Sequence, residues 1–263
     1  MTQYRVDTHE FWGTNKTIYE VVMLADQYGN RVSSGNPSGM AVDGFGRARV
    51  SQPLTLFDSS HRYSDNQLWY SSNTGAGNST ITFSANQGLM ELAVSNAANA
   101  EIIRETSRVF SYQPGKSLQN MNTFVFNAAQ TNLLQRVGFF GAQNGIYLEL
   151  SDSTLYLVKR YYNLGSVQEE RVAQSSWNVD KVDGLGPSKI TLDINAAQIF
   201  FIDVEWLGVG SVRCGFVIDG ILIHCHSFHY ANRVGSNSTY MTTATLPLRY
   251  EIKNTGATAN ASV

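Results

Sequence analysis

From residue 54 onward, apolar residues recur at every second position in short runs, and clusters of Gly, Pro, Asn, Asp and Ser separate the runs about every 8–12 residues. That spacing predicts an all-β chain of short antiparallel strands rather than helices with a 3.6-residue rhythm. ITFSA and LMELAV, joined by NQG, read as a hairpin with Met90, Leu92 and Val94 on one face. EIIRE and RVFSY precede a PGKS turn, and MNTFVFN follows it. QRVGFF, GAQNG and IYLEL make a strand, a turn and a strand, and the Ser151-Asp152-Ser153 turn leads into TLYLVKRYY. NLG then joins that strand to VQEERV. The stretch SNAANAEIIRETSR, residues 95–108, also carries the Ala and Glu of one short helix, the one serious helical candidate.

The most strongly determined piece is VRCGFVIDGILIHC, because Asp219-Gly220 is the dipeptide that a two-residue type I′ turn requires, with φ > 0 at both positions. The expected register puts Ile218 opposite Ile221, Phe216 opposite Ile223 and Cys214 opposite Cys225. One face is then apolar, and Arg213, Gly215, Val217, Leu222, His224 and His226 share the other. Residues 1–55 differ: after IYEVVML comes a long Gly-, Ser-, Asn- and Pro-rich stretch with little periodicity, which reads as an extended N-terminal arm. The expectation is therefore an arm over 1–55, a β-sandwich over 56–253 and a C-terminal tail over 254–263.

Composition narrows the function. Charged residues are only 15% of the 263, against roughly 25% in average soluble proteins, and neutral polar residues replace them. Such a surface suits turn-rich β structure and contact with other protein, since it buries little unpaired charge. The net charge is −2 and no Lys/Arg run interleaves with aromatics, so no nucleic-acid partner is expected. No run of eighteen apolar residues occurs, so no membrane partner is expected either, and synthesis in a cytosol is the reading. The two cysteines are then reduced and packed as small apolar groups.

IFFIDVEWLG, residues 199–208, carries the most interesting chemistry, with Asp203 and Glu205 on the face opposite Phe200, Ile202, Val204 and Trp206. It resembles the active strand of laminarinase-type retaining glycosidases, Glu-x-Asp-x-Glu in a lectin-like sandwich. The resemblance maps Asp203 to the middle acid and Glu205 to the acid/base, but the nucleophile position is Phe201. A double displacement needs two carboxyl groups, so no catalytic residues are assigned and no enzyme is expected. Asp203, Glu205, Trp206 and Arg213 are instead a candidate ligand face. Trp69, Trp177 and Trp206 are the aromatic platforms that a sugar-binding groove would use.

His224, His226 and His229 form H-x-H-x-x-H, whose first two rings project to one side of a strand as zinc ligands do. Packing beside Phe228 and Tyr230 is the stronger reading. WNVDKVDGLGPS places Asn178, Asp180 and Asp183 close together like a calcium loop, but the final Asp-Gly arrives one residue late and no Glu follows. A turn closed by Asx side chains explains it equally well. Gly115-Lys116-Ser117 lacks the upstream glycine of a phosphate loop, and no nucleophile elbow is present. No cofactor is expected.

With these stretches laid out, the chain resembles virion structural proteins of tailed phages, especially those of marine and aquatic bacteria. FGRARVSQPLTLFDSSHRY, RVFSYQPGKS, RVGFFGAQNGIYLEL, WNVDKVDGLGPSKITLD, IFFIDVEWLGVGSVRCGFVIDG and TLPLRYEIKNT carry the likeness, from about residue 45 to 254. It implies a jelly-roll (concanavalin A-like) sandwich placed on the virion as a capsid-decorating, neck or tail-fibre component. The implied partners are other virion proteins and copies of itself. Two alternatives stand beside that structural role: a module that binds a host-surface glycan, and a degenerate glycosidase.

Overall fold

The computed structural model describes residues 54–61, 63–163 and 165–262. The arm expected over 1–55 lies, up to residue 53, outside the described residues. Among the described residues there are thirteen strands, in chain order β1 Trp69–Thr74, β2 Thr80–Ser84, β3 Leu89–Ala93, β4 Glu101–Thr106, β5 Leu118–Phe124, β6 Leu133–Phe140 and β7 Gly145–Ser151. They continue with β8 Thr154–Asn163, β9 Ser166–Ala173, β10 Gln198–Val204, β11 Val212–Ile218, β12 Ile221–Phe228 and β13 Leu248–Asn254. Every pairing between these strands is antiparallel. A seven-stranded sheet in the order β1-β4-β13-β6-β7-β8-β9 packs on a four-stranded sheet in the order β12-β11-β10-β5, and β2-β3 forms a small separate ribbon. The described residues form an all-β, jelly-roll sandwich.

The two-residue rhythm sets the packing. Val137, Phe139, Ile146, Leu148, Leu150, Leu155 and Leu157 of the large sheet meet Phe200, Ile202, Val204, Val212, Cys214, Phe216, Cys225 and Phe228 of the small one in one buried cluster. Each such side chain contributes about 1.5–3 kcal/mol on leaving water, which is what holds the sheets together. Residues 254–262 fold back on the chain, with Ser262 bridging Val94 and the Asn254 amide donating to the Ser95 and Ala97 carbonyls.

Three expectations need correction. The stretch 95–108 contains no helix among the described residues: Asn99 takes a positive φ of 61° and β4 begins two residues later. Ile102, Arg104 and Thr106 are buried in alternation, so pairing with β1 and β13 on both sides overrides the helical propensity of Ala and Glu. RVFSY is not a strand either; Phe110 alone makes an isolated bridge, to Leu246. The β11–β12 hairpin turns at Asp219-Gly220 with the expected Ile218–Ile221 and Phe216–Ile223 pairs, but its register shifts between Cys214 and Gly215. Cys214 therefore lies opposite His226, not Cys225. A Cβ on Gly215 would stand 1.9 Å from the Ile223 carbonyl oxygen, so the bulge forms where only glycine fits. Cys225 is the extra residue, and both thiols remain buried and free. Burial pushes both thiols above their ordinary range.

Candidate functional site

β10 ends at Val204, which separates the four residues of the candidate ligand face. Asp203 stays in the ladder opposite Arg213, and their side chains form an ion pair at 3.4 Å. Glu205 and Trp206 enter the turn to β11, where Leu207 and Gly208 both have positive φ and the Gly210 N–H closes on the Trp206 carbonyl. Trp206 packs edge-on against Tyr112 at 6.0 Å, on the margin of the core. Phe201, at the position a glycosidase nucleophile would take, is buried, and its ring occupies the notch over Gly215. The other two tryptophans are structural: Trp177 is buried and donates to the Val172 carbonyl, and Trp69 stacks with Phe57 and Tyr250.

Each of the two histidines offered as zinc ligands engages one ring nitrogen within the chain, while His224 Nδ1 is buried without a hydrogen-bond partner among the described residues. His224 Nε2 lies 2.9 Å from Ser227 Oγ and 3.1 Å from the His226 carbonyl, and His226 Nδ1 accepts the Asn178 N–H at 3.2 Å. Burial pulls each ring down to about 4, so both are neutral at pH 7. Asp180 is buried; its oxygens accept the N–H groups of Val182 and Ser188, and Asp183 Oδ1 accepts those of Leu185 and Gly186. These carboxylates close turns. Among the described residues no group of three or more His, Cys, Asp or Glu is placed to hold a metal ion.

On the large sheet, the face turned away from the core carries a charge lattice that the sequence reading missed. Arg136 donates to Glu149 and to Glu251, each at 2.6 Å; Arg249 reaches Glu251 and Glu105; Arg171 reaches Glu149; Arg160 pairs with Glu169. Tyr147 donates its hydroxyl to Glu169 at 2.7 Å, and the Arg136 and Arg160 guanidiniums lie over its ring. Glu149 and Tyr147 are fully buried there. Burial alone would raise the Glu251 carboxyl, but Arg136 and Arg249 outweigh it and hold the group below its ordinary value. Each charge in this set is answered by another, so the lattice braces the sheet and leaves no group to recruit a ligand.

The end of the sandwich is different. Lys159 projects from β8 on the same side as Leu157, into the core margin, although its position is apolar by pattern. Glu170, directly opposite on β9, accepts its Nζ at 2.5 Å. Four rings complete the surroundings of the ammonium, with centroids at 5.8 Å for Tyr161, 5.5 Å for Phe228, 5.5 Å for Tyr230 and 5.7 Å for Tyr240. A recess of about 330 Å³ opens beside this cluster, between Tyr161, Tyr230, Tyr240 and the polar loop from His229 to Ser238. Asn144, buried, fixes the far side of that loop: its amide donates to Thr242 Oγ1 and its carbonyl accepts the Tyr162 and Thr242 N–H groups. The Tyr240 N–H binds the Gly208 carbonyl, tying the same loop to the Trp206 turn.

The arrangement has aromatic walls, a buried lysine paired with a half-exposed glutamate at the base and a hydroxyl- and amide-rich rim, the make-up of a site for a small polar molecule with an apolar face. Burial, and then the Arg233 charge, lower the His229 ring below its ordinary value, and His229 Nδ1 lies 3.0 Å from Ser211 Oγ. Sequence reading named His229 only as a possible third metal ligand. The available signal was Lys159: a lysine in the inward register of TLYLVKRYY needs a partner, and VQEERV supplies it across the turn.

No protein-family model and no curated protein matches the chain. Among solved structures, it is similar to a protein of unknown function from Shewanella oneidensis MR-1, with 14% identity over 78% of this chain and 80% of that one, and a TM-score of 0.45. It is also similar to a legume lectin-like domain from Entamoeba histolytica, with 11% identity, 80% and 94% coverage and a TM-score of 0.39. A third likeness is to the enzymatically active domain of tailspike protein 2 of bacteriophage CBA120, with 12% identity over 81% of this chain but only 29% of that one, and a TM-score of 0.40. At these identities and scores none of them informs the chemistry of the site, which is read from the residues above.

Proposed function

We propose that the chain is a non-enzymatic glycan-binding module carried on a phage particle, and that the tyrosine-walled recess beside Lys159 and Glu170 is where the sugar sits. The carrying observation is that three tyrosines and a buried, paired lysine converge on one recess of about 330 Å³. Pyranose rings present C–H faces that stack on aromatic rings and hydroxyl edges that need donors and acceptors, and the recess offers both. A small site of this kind binds weakly, and several copies on one particle raise the avidity without new contacts. The absence of an enzymatic role is supported by Phe201, whose buried ring occupies the place of the attacking carboxylate. Placement on the virion, with other virion proteins and copies of itself as neighbours, is supported by the sequence stretches that resemble tailed-phage structural proteins.

The test is a glycan array probed with multimerised protein and with its Tyr230→Ala variant. Binding to a defined set of glycans, weakened about tenfold by the substitution, is expected, the equivalent of about 1.4 kcal/mol. A blank array, or binding that Tyr230→Ala leaves untouched, refutes the assignment of the recess.

A further inference from the structure

Among the ionisable groups around the recess, Lys159 and Glu170 neutralise each other at 2.5 Å, and the lysine ammonium is enclosed by four rings. Arg233 is the exception. Its side chain is exposed on the rim, and among the described residues it makes no ion pair with a carboxylate. Its backbone is nonetheless fixed: the Arg233 N–H donates to Ser236 Oγ at 3.1 Å, the Ser236 N–H returns to the Arg233 carbonyl at 3.1 Å, and positive φ at Asn232 and Gly235 tightens the turn. His229 beside it is neutral at pH 7, since burial and the Arg233 charge both lower it. Among the described residues, the rim therefore presents the Arg233 guanidinium without a carboxylate partner next to an aromatic wall, and the already paired Glu170 is the acid that lines the recess.

Resting on the recess as the glycan site, we infer that its ligand is a carboxylated sugar, with the pyranose face against Tyr230 and Tyr161 and the carboxylate on Arg233. A guanidinium binds a carboxylate through two parallel N–H···O bonds, which fixes the orientation of the ring as well as adding affinity. Sulfate esters also carry a single negative charge, but on a tetrahedral group with its charge spread over three oxygens, and sulfated sugars serve as the opposing arm of the test.

The experiment is calorimetric titration of the intact protein with oligosaccharides ending in glucuronic, galacturonic or sialic acid, each beside its carboxyl-reduced neutral counterpart and a sulfated oligosaccharide. At least one carboxylated probe is expected to bind ten times or more tightly than its neutral counterpart and than the sulfated probe. Arg233→Gln is expected to erase that difference, the carboxylated probe falling to the affinity of its neutral counterpart, and Arg233→Lys to restore part of it. Because Arg233 is exposed, neither variant disturbs the core. Equal binding of acid and neutral forms, preference for sulfate, or an Arg233→Gln variant that discriminates as before overturns the inference while the recess stands. No binding by any probe overturns both.

Discussion

Replacing Arg136 by leucine removes the hub of the charge lattice on the large sheet. Arg136 bridges two carboxylates, at 2.6 Å each, whose side chains are 0% and 3% exposed. Breaking a buried pair by deleting one partner costs about 3–5 kcal/mol, because the remaining charge is left desolvated. Here each carboxylate keeps a second cation, Arg171 for Glu149 and Arg249 for Glu251, and leucine still covers the Tyr147 ring. The expected loss is accordingly at the low end, about 3 kcal/mol, or about 6–12 °C in Tm for a domain of this size. Urea unfolding at pH 7 measures it as a lower midpoint at unchanged slope. In the double variant Arg136→Leu/Glu149→Leu the buried carboxylate is gone too, so its loss should fall short of the sum of the two single losses by about 1–3 kcal/mol. A pH series checks the electrostatic origin. The Glu251 carboxyl is held below its ordinary value, so its contribution is complete above the ordinary carboxylate range and is lost as pH falls through the lowered one. A single-variant loss under about 1 kcal/mol, or additive losses, would show that the lattice behaves as a set of solvated surface pairs.

Three further outcomes follow from the same structure. Phe201→Glu, which restores the acid pattern of the glycosidase-like strand, is expected to destabilise the protein by several kcal/mol in urea unfolding, since the side chain is 4% exposed, and to release no new reducing ends from β-glucans. Reducing ends released by the unsubstituted protein and abolished by Glu205→Gln would overturn the non-enzymatic reading. Gly215→Ala should cost about 2–3 kcal/mol, because its Cβ would meet the Ile223 carbonyl oxygen at 1.9 Å and the Phe201 ring at 2.8 Å; a neutral effect on thermal melting would contradict the tight bulge. His224 and His226 are held at about 4 against an ordinary value near 6.5, so the unfolded chain binds more protons between those limits, and stability should fall as pH drops from about 6.5 to about 4. Unfolding midpoints that stay flat across this window would show that the rings are solvated.

Period-two alternation was enough to reveal the strands and the class, because β7, β8, β10, β11 and β12 each place apolar residues on one face and bury them. It failed where a single residue decides the geometry. The Gly215 bulge moved Cys225 out of register with Cys214, and nothing in VRCGFVIDGILIHC marks which glycine must approach a neighbouring carbonyl. Propensity also misled at residues 95–108, where pairing on both edges of β4 outweighs local preference. The site was less legible than the fold. Asp203 and Arg213, grouped in sequence with Glu205 and Trp206 on one candidate ligand face, pair across β10 and β11, but the recess draws on Lys159 and Tyr161 from β8, Glu170 from β9 and Tyr230 and Tyr240 from an irregular loop, a convergence that sheet order creates and sequence spacing does not.

The direct measurement is an NMR titration of protein labelled with ¹³C in its tyrosine rings, using any glycan retained on the array. Shifts confined to Tyr161, Tyr230 and Tyr240 are predicted, with Tyr156 on the braced sheet face and Tyr250 in the core unmoved. Shifts centred on Tyr156 and Tyr147, or none at saturating glycan, would contradict the placement of the sugar at the sandwich end.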